Sequence, residues 1–355
     1  MLSSVSCPVT EPSQVGEARR LAQGLARSLG FDEVASGRVG IIVTEAAGNL
    51  CRHAGGGEIV LSPMRGFCNP QTPWSATRIE SMPWHIDILA LDKGPGMHDV
   101  DECLRDGFST GATPGTGLGA IRRQADVFAV HSQPGVGTAL LARMFAKREL
   151  AETHARTLQS HFSIGAVCVA MEGETACGDA FETFVMGSDA HILMVDGLGH
   201  GPQAAVAASG AVTYFLDDPF LLPKDALTKS HLALRSTRGA AVAHASLDLA
   251  KRELRFAGMG NISASFQTDT SSRGFVSLNG IVGVGVPKAQ EFREPLPDGA
   301  GGYLVLHSDG LATQWKLESY RGLRGSDPAL VAGVLYRDFR RSRDDASVVV
   351  VRLNS

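Results

Sequence analysis

Residues 192–201 read ILMVDGLGHG: four apolar residues, an acid, then glycines at alternate positions. The apolar run has the length and composition of a buried strand, and Asp196 stands where that strand ends. A single Asp-Gly after a strand is ordinarily just a turn. Here related arrangements recur. CGDAF carries Asp179, YLVLHSDGL carries Asp309, and RRSRDDASVVVV carries Asp344 and Asp345 ahead of a strand. Strands of one sheet end side by side, so carboxylates far apart in sequence can converge. Convergent carboxylates cannot all stay ionised without cations between them. Hard oxygen donors with no Cys or His select Mg²⁺ or Mn²⁺. Two such ions about 4 Å apart can activate a bridging water and hold a phosphoryl group for in-line attack.

Outward from this stretch, the second half of the chain is strand-rich. FSIGAVCVAME, FETFVMG, AHILMVD, AAVAHASLDL, ELRFAGM, SASFQT, GYLVLHSD and SVVVVRL read as strands, with helices expected over 202–215, 225–234 and 328–340. The first half reads as an edge strand over 3–8, a helix from Pro12 to Leu29 stopped by Gly30, and a second helix over 33–54 ended by Gly55. EIVLSPM and WHIDILALD follow as strands joined by a long polar loop. A glycine-rich segment, a helix over 119–125, and the strands DVFAVHSQ and GTALLARMFA complete it. The charged stretch 147–159 lacks a β pattern and is read as a linker between domains at 1–146 and 160–355. Helices clustered between runs of strands imply an α+β architecture.

Three elements of the first half point to a nucleotide pocket. Glu45, Asn49 and His53 recur at i, i+4 and i+8, which places polar groups on one line of an apolar helix. ALDKGPGM puts Asp92 at a strand end before a turn built on Gly94 and Gly96. GATPGTGLGA puts Gly115, Gly117 and Gly119 before a helix, where backbone N–H groups and the helix dipole favour phosphate oxygens. The Rossmann alternative fails on position, because GTGLG does not open a first βαβ unit.

Composition bounds the rest. The 355 residues suit two globular domains, and 44% hydrophobic residues exclude a mostly disordered chain. Lys and Arg number 33 against 37 Asp and Glu, a net charge of −4 that recommends neither nucleic acid nor an anionic membrane as partner. The N-terminus lacks the pattern of a secretory signal, and no apolar stretch approaches the ~18 residues of a spanning helix. Six Cys without metal-ligand spacing suit a reducing compartment, so the expected location is cytoplasmic.

In this order, E-A-A-G-N, DKGPGM and GTGLG resemble the N, G1 and G2 boxes of the ATPase superfamily of gyrase, Hsp90, histidine kinases and MutL, over residues 1–146. The RHAGGGEI run is similar to that of the anti-sigma and switch serine kinases. The resemblance implies a Bergerat-type α/β sandwich that binds ATP with Mg²⁺. Asn49 would hold Mg²⁺, Asp92 the adenine amino group, and Glu45 would act as base or water-orienting carboxylate. Gly94, Gly96, Gly115, Thr116, Gly117, Leu118 and Gly119 would shape turn and lid, with Thr138 behind the adenine.

DGLGHG with its following small-residue helix, together with SDGL, resembles the PPM-type metal-dependent phosphatases of the SpoIIE-like branch, over residues 160–355. That implies an αββα sandwich in which Asp196 bridges two Mg²⁺ or Mn²⁺ ions and the Gly197 carbonyl binds one. Asp309 and Asp344 (favoured over Asp345) ligate the other ion, and Asp179 lies in or next to the ligand set. Asp196 and Asp309 would carry catalysis. His200 reads equally as a general acid or a turn residue, and Asn261 as a residue lining the site. No basic residue stands beside Asp179 to grip phosphate. Together the two resemblances imply a phosphorylated STAS-domain antagonist as substrate in partner-switching signalling, and they leave room for a homodimer. The alternative is a phosphatase gated by an N-terminal module that senses nucleotide or docks a partner without transferring phosphate.

Overall fold

The computed structural model describes residues 3–66, 82, 84–104, 117–147, 161–286, 288–297 and 301–354. Strand β1 (Val5–Val9) leads into two helices, α1 (Ser13–Ser28) and α2 (Glu33–Asn49). Asp32 caps α2 by accepting from Ala35 N at 2.7 Å. After Asn49 the helix changes to a π turn over Leu50–Ala54, closed by Gly55 at φ 72°. The strands β2 (Gly57–Arg65) and β3 (Trp84–Leu91), the short helix α3 (Val100–Cys103), α4 (Gly117–Gln124), β4 (Val127–Gln133) and β5 (Gly137–Phe145) follow. These five strands form one antiparallel sheet in the order β1-β2-β3-β5-β4. Ala46, Val43, Val39 and Ile42 of α2 pack with Ala22 of α1 on one face of this sheet, over Ile59, Ile88 and Leu140.

The second half supplies β6 (Phe162–Val169), β7 (Asp179–Met186), β8 (Asp189–Gly197), α5 (Pro202–Asp217), α6 (Pro223–Ala233), β9 (Ala240–Asp248) and β10 (Glu253–Met259). β11 (Ser263–Gln267), β12 (Ser272–Phe275), β13 (Phe292–Pro295), β14 (Gly302–His307), α7 (Pro328–Phe339) and β15 (Ala346–Leu353) complete it. Two antiparallel sheets, β13-β10-β9-β8-β7 and β12-β11-β14-β15-β6, face each other across Ile192, Phe256, Leu304 and Val351. Helices α5 and α6 cover the outer face of the first, against Leu193, Val195 and Val242. Helix α7 covers the second. The layering is the αββα sandwich expected for this half.

The short edge strands β12 and β13 escape the hydrophobic pattern because most of their residues are exposed or half-buried. Of the long loop expected between β2 and β3, Arg65 belongs to β2 and only Gly66 and Met82 are otherwise described; all of the expected linker but Lys147 lies outside the described residues. One arrangement has no counterpart in the sequence reading. The second face of α7 packs on the N-terminal sheet, so Leu89, Leu91 and Leu141 share one core with Leu330, Val334 and Val167. No helix among the described residues is long and apolar enough to cross a membrane.

Candidate functional site

The residues expected to hold nucleotide lie on three elements: α2, the turn after β3 and the start of α4. A Cβ on Gly117, at the start of α4, would lie 3.1 Å from Asn49 Oδ1 and 3.3 Å from Glu45 Oε2. The glycine therefore lets the N-terminus of α4 approach both polar residues of α2. Asn49 Oδ1 accepts from Arg52 Nη2 at 3.0 Å. The i, i+4 line ends at Asn49, because His53 sits in the π turn and is exposed. Asp92 follows β3, and its Oδ1 accepts from Gly94 N at 2.8 Å and Thr138 N at 3.1 Å. Burial raises the Asp92 pKa, while these two bonds and the charge of Arg337 oppose the rise. Gly96, at φ 70°, has Gln133 O 2.2 Å from its Cβ position, so no other residue fits that turn. Thr138 Oγ1 is 2.9 Å from Ser132 Oγ. Gly119 is buried, and Leu118 packs half-buried against the core of this half. Gly115 and Thr116 lie outside the described residues.

The second site gathers acids from both sheets of the sandwich at one end. Asp179 opens β7 and pairs in register with Asp196 near the end of β8. Asp309 follows β14 and Asp344 precedes β15, which are neighbours in the other sheet. Gly197 is required where β8 meets α5, because its Cβ would lie 2.4 Å from Ala204 O. Asn261 Nδ2 donates to Asp309 Oδ2 at 2.7 Å, and Ser347 Oγ to Asp179 Oδ2 at 2.7 Å. Burial first, then repulsion from Asp179, Asp309 and Asp344, pushes Asp196 up to about 8. Burial also pushes Asp179 up to about 7 against hydrogen bonds from Ser308 and Ser347. Asp344 is raised by burial and by Asp309. Among the described residues, no three His, Cys, Asp or Glu side chains are gathered closely enough as they stand to hold an ion. The fit to a cation rests on the donor set: hard carboxylate oxygens whose mutual repulsion a divalent ion relieves.

Asp345 has a different task. It is 2% exposed, and its oxygens accept from Met171 N at 2.7 Å and Gly178 N at 2.8 Å, tying down the loop before β7. His200 is half-exposed, with Nδ1 2.5 Å from Glu174 Oε1. The sequence reading missed Glu174, and it missed Arg238. The Arg238 Nη1 lies 3.6 Å from the Cβ position of Gly199, in the turn that follows Asp196. Leu198 N donates to Gly239 O at 3.1 Å, which joins the two loops. Arg238 lies 42 positions from Asp196, so only the pairing of β8 with β9 brings it to the site.

The fold and its two sites define a histidine kinase-like ATPase domain joined to a PPM-type phosphatase domain. The sequence profile of the histidine kinase-like ATPase domain matches residues 9–144, and that of stage II sporulation protein E (SpoIIE) matches residues 187–354. The serine/threonine-protein kinase RsbT of Bacillus subtilis (strain 168) is 33% identical over 125 residues, 35% of this chain and 84% of RsbT. A solved structure of RsbX in complex with magnesium aligns at a TM-score of 0.50 and 17% identity, covering 55% of this chain and 96% of that one. At that identity the likeness speaks for the fold alone. A solved structure from work on the bacterial stressosome aligns at a TM-score of 0.49 and 27% identity, covering 54% of this chain and 98% of its own. The chain belongs to the RsbT family of histidine kinase-like ATPases through its N-terminal half, here fused to a SpoIIE/PPM-type phosphatase domain.

Proposed function

We infer that the protein sets the phosphorylation of a small STAS-type antagonist in partner-switching signalling, removing phosphate from its serine or threonine with the C-terminal half. The observation that carries this reading is the meeting of Asp179, Asp196, Asp309 and Asp344, from four separate segments, at one end of the sandwich. Asp179, Asp196, the Gly197 carbonyl, Asp309 and Asp344 would hold two Mg²⁺ or Mn²⁺ ions, which supply an activated water and neutralise phosphoryl charge. Asn261 orients Asp309, while Ser308 and Ser347 orient Asp179. Asp345 keeps the loop before β7 in place, leaving Asp344 as the carboxylate for the site. Arg238 stands at the rim as a partner for the phosphate oxygens.

The N-terminal half would bind ATP with Mg²⁺ at Asn49, read the adenine with Asp92 against Thr138, and use Glu45 to orient the attacking hydroxyl. The approach of Gly117 to both Glu45 and Asn49 supports a phosphate-facing helix N-terminus there. RsbT is named as a kinase, which favours phosphoryl transfer to the same partner. A second reading, in which nucleotide only gates the phosphatase, is favoured by the core that α7 shares with the N-terminal sheet.

The test is the intact mass of a STAS-domain partner incubated with the full chain, with and without ATP and Mn²⁺. The partner is expected to gain one phosphate with ATP and to lose it with Mn²⁺. Glu45→Ala removes the gain and Asp196→Ala the loss. A partner whose mass never changes refutes both activities, whereas loss without gain leaves the gating reading.

A further inference from the structure

Helix α7 is buried on two opposite sides. A Cβ on Gly165 of β6 would lie 2.1 Å from Ala329 N, and one on Gly333 of α7 would lie 3.1 Å from Leu91 Cδ2 of β3. Its N-terminal cap, Asp327, takes Nη1 and Nη2 of Arg143 at 3.2 Å each. Arg143 Nε and Nη2 meet Asp87 at 2.5 and 2.9 Å. At the other end, Tyr336 and Arg340 meet Glu58 Oε1 at 2.9 and 3.0 Å. Arg337 Nη1 donates to the main-chain oxygen of Asp92 at 2.9 Å. The rest of that guanidinium is fixed on Asp338, with Nε at 2.9 Å and Nη2 at 2.8 Å, and Tyr320 holds Asp338 at 2.7 Å.

One turn further on, the same segment reaches the acid cluster. Ala312 N donates to Phe339 O at 2.9 Å and Arg341 N to Gly310 O at 2.7 Å. Gly310 follows Asp309, and a Cβ there would lie 1.8 Å from Asp345 O. A continuous line of packed, hydrogen-bonded residues therefore runs from the backbone of Asp92 through Arg337, Phe339, Arg341 and Gly310 to Asp309 and Asp344.

We propose that Arg337 is a positioning residue common to both halves, and that through it nucleotide at Asp92 and cations at the acid cluster change each other's binding. This rests on the two-site reading above and adds the route between the sites. A ligand that engages the Asp92 carboxylate favours one placement of the Asp92 backbone, hence of Arg337 and the last turn of α7. Gly310 and Asp309 follow, because close-packed contacts move together rather than stretch. By linkage the effect is mutual and equal in both directions.

The experiment uses the full chain and ADP at constant free Mg²⁺, which excludes phosphoryl transfer. ADP affinity is measured by calorimetry, amide hydrogen exchange is followed over 309–313 and 340–345, and p-nitrophenyl phosphate hydrolysis is titrated with Mn²⁺. In the unaltered chain, ADP is expected to slow exchange in both segments and to shift the Mn²⁺ concentration at half-activity about fivefold or more. In Arg337→Met, which keeps the buried stem and removes the donors, both responses disappear while ADP still binds. Arg337→Leu, which also lacks a donor, serves the same comparison if the methionine variant does not fold. ADP that binds without changing exchange or Mn²⁺ response overturns the coupling alone, and responses that persist in both variants overturn the route. ADP that does not bind at all overturns the nucleotide pocket and the coupling with it. An absence of hydrolysis with the exchange response intact overturns only the phosphatase reading.

Discussion

At the scale of single residues, the acid cluster is held together against its own charge. Asp196 sits at about 8 in the folded protein against an ordinary value of 3.8, so the native state binds its proton more tightly than the unfolded chain. Stability of the cation-free protein therefore falls as pH rises from about 4 through about 8. Asp196→Asn removes the repulsion. It is expected to raise the melting temperature of EDTA-treated protein at pH 8 by a few degrees, because about 1 kcal/mol is worth ~2–4 °C in a domain of this size. The same variant is expected to lose hydrolysis. A calorimetric scan at pH 5 and pH 8 checks the sign, and a variant less stable than its parent at pH 8 contradicts it. Arg238 gives a second prediction. Arg238→Ala should raise KM for a phosphorylated protein about tenfold and leave kcat nearly unchanged, since the guanidinium stands beside the turn after Asp196 rather than among the acids. Initial rates over a range of substrate concentrations separate the two constants.

At the scale of elements, close approach decides what each segment can be. Helix α7 lies so near β6 that the only side chain Gly165 can carry is a hydrogen. Gly165→Ala should push the helix outward and cost about 1–3 kcal/mol in urea denaturation. The π turn after Asn49 shows how a local pattern misleads. Apolar spacing predicts one helix over 33–54, yet α geometry stops at Asn49 and the chain completes a wider turn before Gly55. The i, i+4 arithmetic holds for Glu45 and Asn49 because both lie in the α segment, and it stops holding for His53.

At the scale of the whole molecule, the two halves share a core, and a buried charge cluster sits at its edge. Arg143 is 2% exposed, and Asp87 is fully buried beside it. Burial works to lower the Arg143 pKa, but Asp327 and Asp87 outweigh it and hold the guanidinium charged. Arg143→Ala would strand Asp87, so it should cost about 3–5 kcal/mol. Because Leu89 and Leu91 of one half pack with Leu330 and Val334 of the other, both halves should also unfold in one calorimetric transition. Two separated transitions would contradict that expectation.

Most strands and helices of both halves were legible in the sequence, because period-2 and period-3.6 apolar spacing and glycine stops are local properties of the chain. The short α3 and the exposed edge strands β12 and β13 were not, because they carry no such spacing. Also legible were the acids at strand ends and the glycines of the turn after Asp92, whose residue types are plain in the chain itself. Tertiary structure alone decided which of two adjacent aspartates is spent on backbone N–H groups, since Met171 and Gly178 approach Asp345 only when β6, β7 and β15 are assembled. It alone brought Arg238 beside Gly199. It alone turned α7 from the outer layer of one sandwich into the inner layer between two, because an apolar stripe records that a face must be buried without recording against what.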